Sequence, residues 1–136
     1  MPKWSPVLLS VLRIVSALLF TLHGTQKVLG FPPAPPHPGG GHMEGIMGTL
    51  APASGYLELI GGALLLIGLF SRWTAFILSG EMAVAYFMVH APKGLYPLSQ
   101  GGNGGELAVL YCFIFLYLFV AGPGPISVDG AVRRRL

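Results

Sequence analysis

The sequence predicts an all-α integral membrane protein, a four-helix bundle with both termini in the cytoplasm, and three observations carry that reading. Only 10% of the 136 residues are charged and 53% are hydrophobic, against roughly 25% charged in an ordinary soluble domain; the mean hydropathy is +0.69. The apolar residues collect in four segments, each close to the ~20 residues a helix needs to cross ~30 Å of hydrocarbon. Lys and Arg gather on one set of chain ends. Four such segments leave no room for a second unit, so residues 1–136 read as a single four-helix transmembrane domain.

The first helix is predicted at about Ser5–Leu29. Lys3 before an apolar run resembles a signal peptide, but Arg13 interrupts the run, it outlasts a normal h-region, and no small-x-small cleavage site follows. It reads as a retained helix. Next comes Phe31–His42, with five prolines followed by three glycines. This composition excludes a helix and favours a stiff polyproline segment leading into a hinge. Within the outer loop, residues 31–51, His37, His42, Met43, Glu44 and Met47 are soft-metal ligand types, yet their spacing fits no defined metal site.

Helices two and three are predicted at about Pro52–Phe70 and Trp73–His90, joined only by Ser71-Arg72 and therefore antiparallel neighbours. Gly61, Gly62, Gly68, Ser79, Gly80 and Ala83 offer small surfaces for close helix approach. Helix four covers about Gly104–Gly122. Cys112 is the single cysteine, which excludes an internal disulfide, dithiol pair or cysteine metal cluster and suits a small apolar role.

With both termini on one side, that side holds Lys3, Arg72 and Arg133–Arg135, while the other holds Lys27 and Lys93. The positive-inside rule makes the first side cytoplasmic. The net charge of +3 is then a topology signal, with the terminal arginines near anionic headgroups. No soluble basic face points to nucleic acid. Trp4 and Trp73 at the inner ends and Tyr56 and Tyr96 near the outer ends fit interfacial belts.

The chemistry should lie between the helices. Glu58, Glu81 and Glu106 sit in apolar segments, as do Arg13 and His23; a charge at the bilayer centre costs about 2.5–3.5 kcal/mol on insertion scales and normally faces a partner or cavity. From the ~1.5 Å rise per residue, Arg13 and Glu81 each lie about 12 Å from the inner surface, which predicts an inner ion pair with Tyr117 as a hydroxyl partner. His23 and Glu58 lie about 9 Å below the outer surface, with Lys27 and Glu106 nearer the rim. Arg13, Phe20, His23, Gly24 and Lys27 share about a quadrant of helix one, so an outward-opening polar pocket is expected. Glu106 has an alternative role, offsetting the amides at the start of helix four, and Lys27 can snorkel. His90 is a further outer-site candidate, but it lies nine residues after Glu81 and so on the opposite face of a regular helix.

The motifs His23-Gly24-x-x-Lys27, Gly30-Phe31, Glu58-Leu-Ile-Gly-Gly, His90-Ala-Pro-Lys-Gly94, Asn103-Gly-Gly-Glu106 and Gly122-Pro-Gly-Pro-Ile-Ser-Val-Asp129 together resemble the DoxX family of membrane proteins. The resemblance covers nearly the whole chain except Pro32–His42, which is longer and richer in proline than a compact member would have. It implies a four-helix inner-membrane protein, some of whose relatives are membrane subunits of quinone-reducing sulfur oxidoreductases and others parts of redox-stress complexes. It also implies His23, Lys27, Glu58 and Glu106 as the pocket. The leading expectation is a quinone-interacting subunit, not a complete enzyme alone, with no covalently bound cofactor and either a redox partner protein or further copies of itself beside it in the bilayer. A transporter or channel for a small solute or protons is the rival reading, and a membrane scaffold the third. Bis-histidine haem ligation by His23 and His90 is disfavoured by their offset in depth and helical phase, and no metal site is assigned.

Overall fold

The computed structural model describes residues 2–33 and 46–136. Among the described residues there are five α-helices and no strand: α1 (Ser5–Leu29), α2 (Ile46–Ile67), α3 (Ser71–Ala85), α4 (Glu106–Ala121) and α5 (Val128–Arg135). A π-helical turn at Tyr86–His90 and a short 3-10 turn at Ala91–Lys93 prolong α3. His37, His42, Met43 and Glu44, singled out as soft ligands, lie outside the described residues, as does the side chain of Met47. Two helical stretches are long and apolar enough to cross a membrane, Ser5–Leu29 and Ser71–Lys93. The apolar parts of the other two long helices, Pro52–Ile67 and Glu106–Ala121, are shorter.

The first helix has the predicted bounds, and the second starts earlier and ends sooner than expected. Gly68 at φ +75° and Phe70 at φ +50° turn the chain, so the connection is Gly68-Leu69-Phe70. Ser71 and Arg72 already open α3. The other difference is α5, a short helix beyond the four expected, which holds the terminal arginines.

Helix α1 packs along α2, α3 packs along α4, α2 touches α3, and a narrow α1–α4 contact completes the arrangement. The burial pattern of α1 is inside out relative to a soluble helix. Ser10, Arg13, Ser16, Ala17, Phe20 and Gly24 face inward, whereas Leu8, Val11, Leu12, Val15, Leu18, Leu19 and Leu22 are exposed. Small and polar residues inside with large aliphatics outside is the distribution lipid selects, since helix association there depends on close packing and polar contacts. The apolar core is nevertheless continuous, with Phe20, Leu65, Leu78, Phe115 and Leu118 almost fully buried.

At the end of the packet that carries both termini, Arg13 holds the tail against the helices. Its guanidinium, 1% exposed, donates to the carbonyls of Pro123, Leu66 and Ile126, the last at 2.7 Å. Ser10 Oγ accepts from the Ile126 amide at 3.1 Å. This corrects the expected Arg13–Glu81 ion pair. Helices α1 and α3 make no extensive contact, and the long arginine side chain reaches toward the free carbonyls at the α2 and α4 ends, where a planar donor fork can collect several acceptors. Tyr117 is exposed and takes no part; the buried positions of α4 are Ala108, Tyr111, Phe115 and Leu118, and Tyr117 lies off that face.

Asp129 completes this inner layer by capping a helix that has no cap of its own. Its carboxylate accepts from the amides of Phe70 at 3.0 Å and Ser71 at 2.8 Å, the first turn of α3. Its own amide donates to Gly68 O at 2.9 Å. Gly68 also needs its missing side chain, because a Cβ there would strike Ser127. Partial burial opposes ionisation of Asp129, but the two amides and the Arg13 charge outweigh it and hold the carboxyl below the usual range.

Asp129→Ala should therefore cost roughly 0.5–2 kcal/mol, as loss of a helix cap does, measured by thermal unfolding in mild detergent. A depressed carboxyl pKa contributes stability that is complete above its unfolded value and is lost as the pH falls through its folded value. The wild-type melting temperature should thus drop below about pH 4, and Asp129→Asn should flatten that part of the profile.

Candidate functional site

The opposite half of the packet is organised by the approach of α1 to α2. A Cβ on Gly24 would collide with the backbone of Leu59, and one on Gly62 with Thr21. A Cβ on Gly55 would come within 2.9 Å of Lys27 Cβ. Glycines at these points let the two backbones close, as the sequence suggested for Gly62, whereas Gly80 on α3 meets open space.

The close approach brings Lys27 and Glu58 together. Lys27 Nζ lies 2.7 Å from Glu58 Oε1, the one salt bridge among the described residues. Glu58 is 2% exposed, whereas the lysine side chain is 42% exposed. The ammonium thus enters from the rim to meet a fully buried carboxylate. Ser54, one turn before Glu58, joins them: its Oγ lies 3.0 Å from Glu58 Oε1 and 3.2 Å from Lys27 Nζ. The same oxygen lies 2.9 Å from Glu81 Oε1. Glu81 therefore belongs to the outer carboxylate group, the reverse of its expected place with Arg13. Glu58 Oε2 and Glu81 Oε2 are buried without a hydrogen-bond partner.

Beside this group lies a cavity of about 270 Å³ lined by His23, Lys27, Glu58, Met82, His90 and Tyr111, among others. Phe20 and Tyr111 make its aromatic wall, meeting edge-on at 5.2 Å between ring centres, and Phe115 packs edge-on to Phe20 at 4.9 Å. His23 packs edge-on to Tyr111 at 6.1 Å. His23, Lys27 and Glu58 are thus brought together as expected. Tyr111 was missed, although its place on the α4 face with Ala108 and Phe115 is legible once that helix is aligned by its buried positions.

His90 reaches the cavity because the helix is irregular. Nine residues at 100° each would set it opposite Glu81, but the π-helical turn at Tyr86–His90 takes up about one extra residue and leaves the two about 80° apart. Its Nδ1 lies 3.1 Å from the carbonyl of Asn103; a carbonyl only accepts, so Nδ1 carries the hydrogen. Asn103, 3% exposed, also donates to Tyr86 Oη at 3.2 Å and Gly94 O at 3.1 Å, and its Oδ1 accepts from the Gly105 amide at 2.9 Å. It fastens the segment before α4 to the end of α3 and to the α4 start.

Glu106 stands apart from the cavity. It is exposed in the first turn of α4 and accepts from the Ser99 amide at 3.2 Å and hydroxyl at 2.9 Å. Its place follows from its position: a carboxylate at a helix N-terminus offsets unpaired amides and gains most where it meets the loop. No group of three or more His, Cys, Asp or Glu side chains suited to a metal occurs among the described residues.

The family model described as DoxX matches residues 8–91. An uncharacterized protein of Haemophilus influenzae is 46% identical over 130 residues, covering 93% of this chain and 92% of its own length. A second from the same organism is 32% identical over 77 residues, or 57% of this chain and 49% of its own length. The inner membrane protein YqjF of Escherichia coli is 29% identical over 143 aligned positions, covering 99% of each chain. No solved structure matches.

Two variants check this geometry by thermal melting in detergent. Gly24→Ala should destabilise the protein by about 1–3 kcal/mol, since overpacking against backbone cannot be relieved by a rotamer change. Lys27→Met should lower the melting temperature more than the Lys27→Met/Glu58→Gln double variant, because the single change strands a buried carboxylate. Additive losses would show that the two groups do not interact.

Proposed function

The chain belongs to the DoxX family, and from that premise we propose that it is a quinone-interacting subunit of a membrane redox complex. In this reading the four long helices cross the inner membrane as a bundle, with both termini cytoplasmic. The burial pattern of α1 and the name of the Escherichia coli relative support the membrane setting. Lys3, Arg72 and the arginines of α5 on the termini side support the orientation. The shorter apolar stretches of α2 and α4 are accommodated by local thinning of the bilayer and by snorkelling of flanking side chains.

One observation carries the proposal: a cavity between apolar helices that joins an aromatic wall to His23, Lys27, Glu58 and Tyr111. Its volume of about 270 Å³ is just below the ~300–1,000 Å³ of typical ligand sites. It suits a ring-sized head group, the isoprenoid tail remaining among the lipids. A quinone ring is flat and apolar with two carbonyl oxygens, so it needs an apolar slot with hydrogen-bond donors. The Phe20–Tyr111 wall supplies the slot, and the Tyr111 hydroxyl, His23 and Lys27 supply donors. Lys27 also stabilises negative charge that develops on a ring oxygen during reduction, while Glu58 and the imidazoles exchange protons with it. Electrons come from a partner protein or a reducing substrate.

Ser54 bridging the buried Glu58 and the half-buried Glu81 also suits a proton or solute pathway, and flux into proteoliposomes distinguishes that role. For the quinone reading, purified protein in lipid nanodiscs should bind a short-chain quinone analogue saturably. His23→Ala and Tyr111→Phe should each weaken binding about tenfold, the loss of one hydrogen bond. Wild-type protein that binds no analogue would overturn the proposal.

A further inference from the structure

Hydrogen bookkeeping at Ser54 goes beyond the ligand pocket. The hydroxyl has one hydrogen to give and two lone pairs to receive, yet it contacts three groups: Lys27 Nζ at 3.2 Å, Glu58 Oε1 at 3.0 Å and Glu81 Oε1 at 2.9 Å. Lysine only donates. Two ionised carboxylates would both require the single serine hydrogen, leaving one oxygen facing a lone pair. All three contacts are satisfied when one carboxyl carries a proton and donates it to Ser54, while Ser54 donates to the other. The salt bridge to Lys27 at 2.7 Å keeps Glu58 the ionised member.

We propose that Glu58 and Glu81 share one exchangeable proton through Ser54, resident on Glu81 at neutral pH, and that this pair is a proton-transfer site opening on the cavity. The transfer is a double hop. The Glu81 O–H bond breaks as its proton passes to Ser54 Oγ, and the serine's original proton passes to Glu58, so the hydroxyl is regenerated and the proton has moved from α3 to α2. Glu58 lines the cavity, is almost fully buried, and has Oε2 free of any partner. A half-turn of the carboxyl about its Cγ–Cδ bond carries the proton received on Oε1 to the Oε2 position, the exit to a base in the cavity. Other titratable groups around the pair are Lys27 and His23 from α1, Tyr111 from α4 and His90 from the π-turn. Two carboxylates beside one ammonium also carry an excess negative charge, which a proton neutralises in a low-dielectric setting.

The proton site stands on the geometry of Ser54; delivery to a bound ring rests on the quinone reading above. Infrared difference spectroscopy of the whole protein in nanodiscs tests it. At pH 7 the wild type should show the carbonyl band of a protonated carboxylic acid, shifted in heavy water, and the band should vanish in Glu81→Gln. That variant keeps the shape and hydrogen bonding of the neutral acid and should fold. Ser54→Ala should retain the band at a higher frequency, because the acid loses its acceptor. A wild-type protein with no such band, or a band unchanged in both Glu81→Gln and Glu58→Gln, would overturn the proposal. Disappearance of the band on adding sodium at constant pH would overturn it in favour of a metal-cation site. A protein that keeps the band but binds no quinone analogue would uphold the proton site and remove only the quinone reading.

Discussion

A charge inside an apolar helix packet must be met by protein dipoles or an opposite charge, and Arg13 shows how far that requirement shapes the chain. Its buried guanidinium draws in carbonyls from the end of α2 and from the tail after α4. These carbonyls lie more than fifty residues from it in sequence. The tail returns under the helices because of those bonds, and once there it places Asp129 on the bare amides that start α3. One buried cation thus ties α1 to the ends of α2 and α4 and, through the tail, to the entry of α3. The arrangement satisfies backbone groups that lipid could not.

The outer half meets the same requirement differently. Here the partners are side chains, and their separation is set by how closely α1 and α2 approach at Gly24, Gly55 and Gly62. Backbone carbonyls carry no exchangeable acid proton, whereas carboxylic acids and imidazoles do. The end that carries the termini is thus held by backbone acceptors, and the opposite end by ionisable side chains. The Phe20, Tyr111 and Phe115 rings pack together at the α1–α4 contact, and the first two form the wall of the cavity.

Irregular backbone supplies the remaining site geometry. A regular continuation of α3 would have turned His90 away; the π-turn rotates it back, and Asn103 fixes its ring from the loop before α4. Glu106 serves that same loop through Ser99. Within Asn103-Gly-Gly-Glu106, Gly104 lines the cavity, while the asparagine is buried and the exposed glutamate stands apart from it.

Helix content, the bounds of α1 and the shared helix face of His23 and Lys27 were legible in the sequence, because each depends on local periodicity. Apolar run length marks a helix, and positions four apart share its face. Depth along a helix was legible for the same reason, yet depth alone could not choose partners for Arg13 and Glu81. That choice depends on which helices are adjacent and on the direction of long side chains, and α1 and α3 make no extensive contact. The fifth helix, the Asp129 cap and the joining of Glu58 to Glu81 through Ser54 arise from contacts between distant segments. Tertiary structure decided them, since a hydrogen bond across the fold leaves no period in the chain.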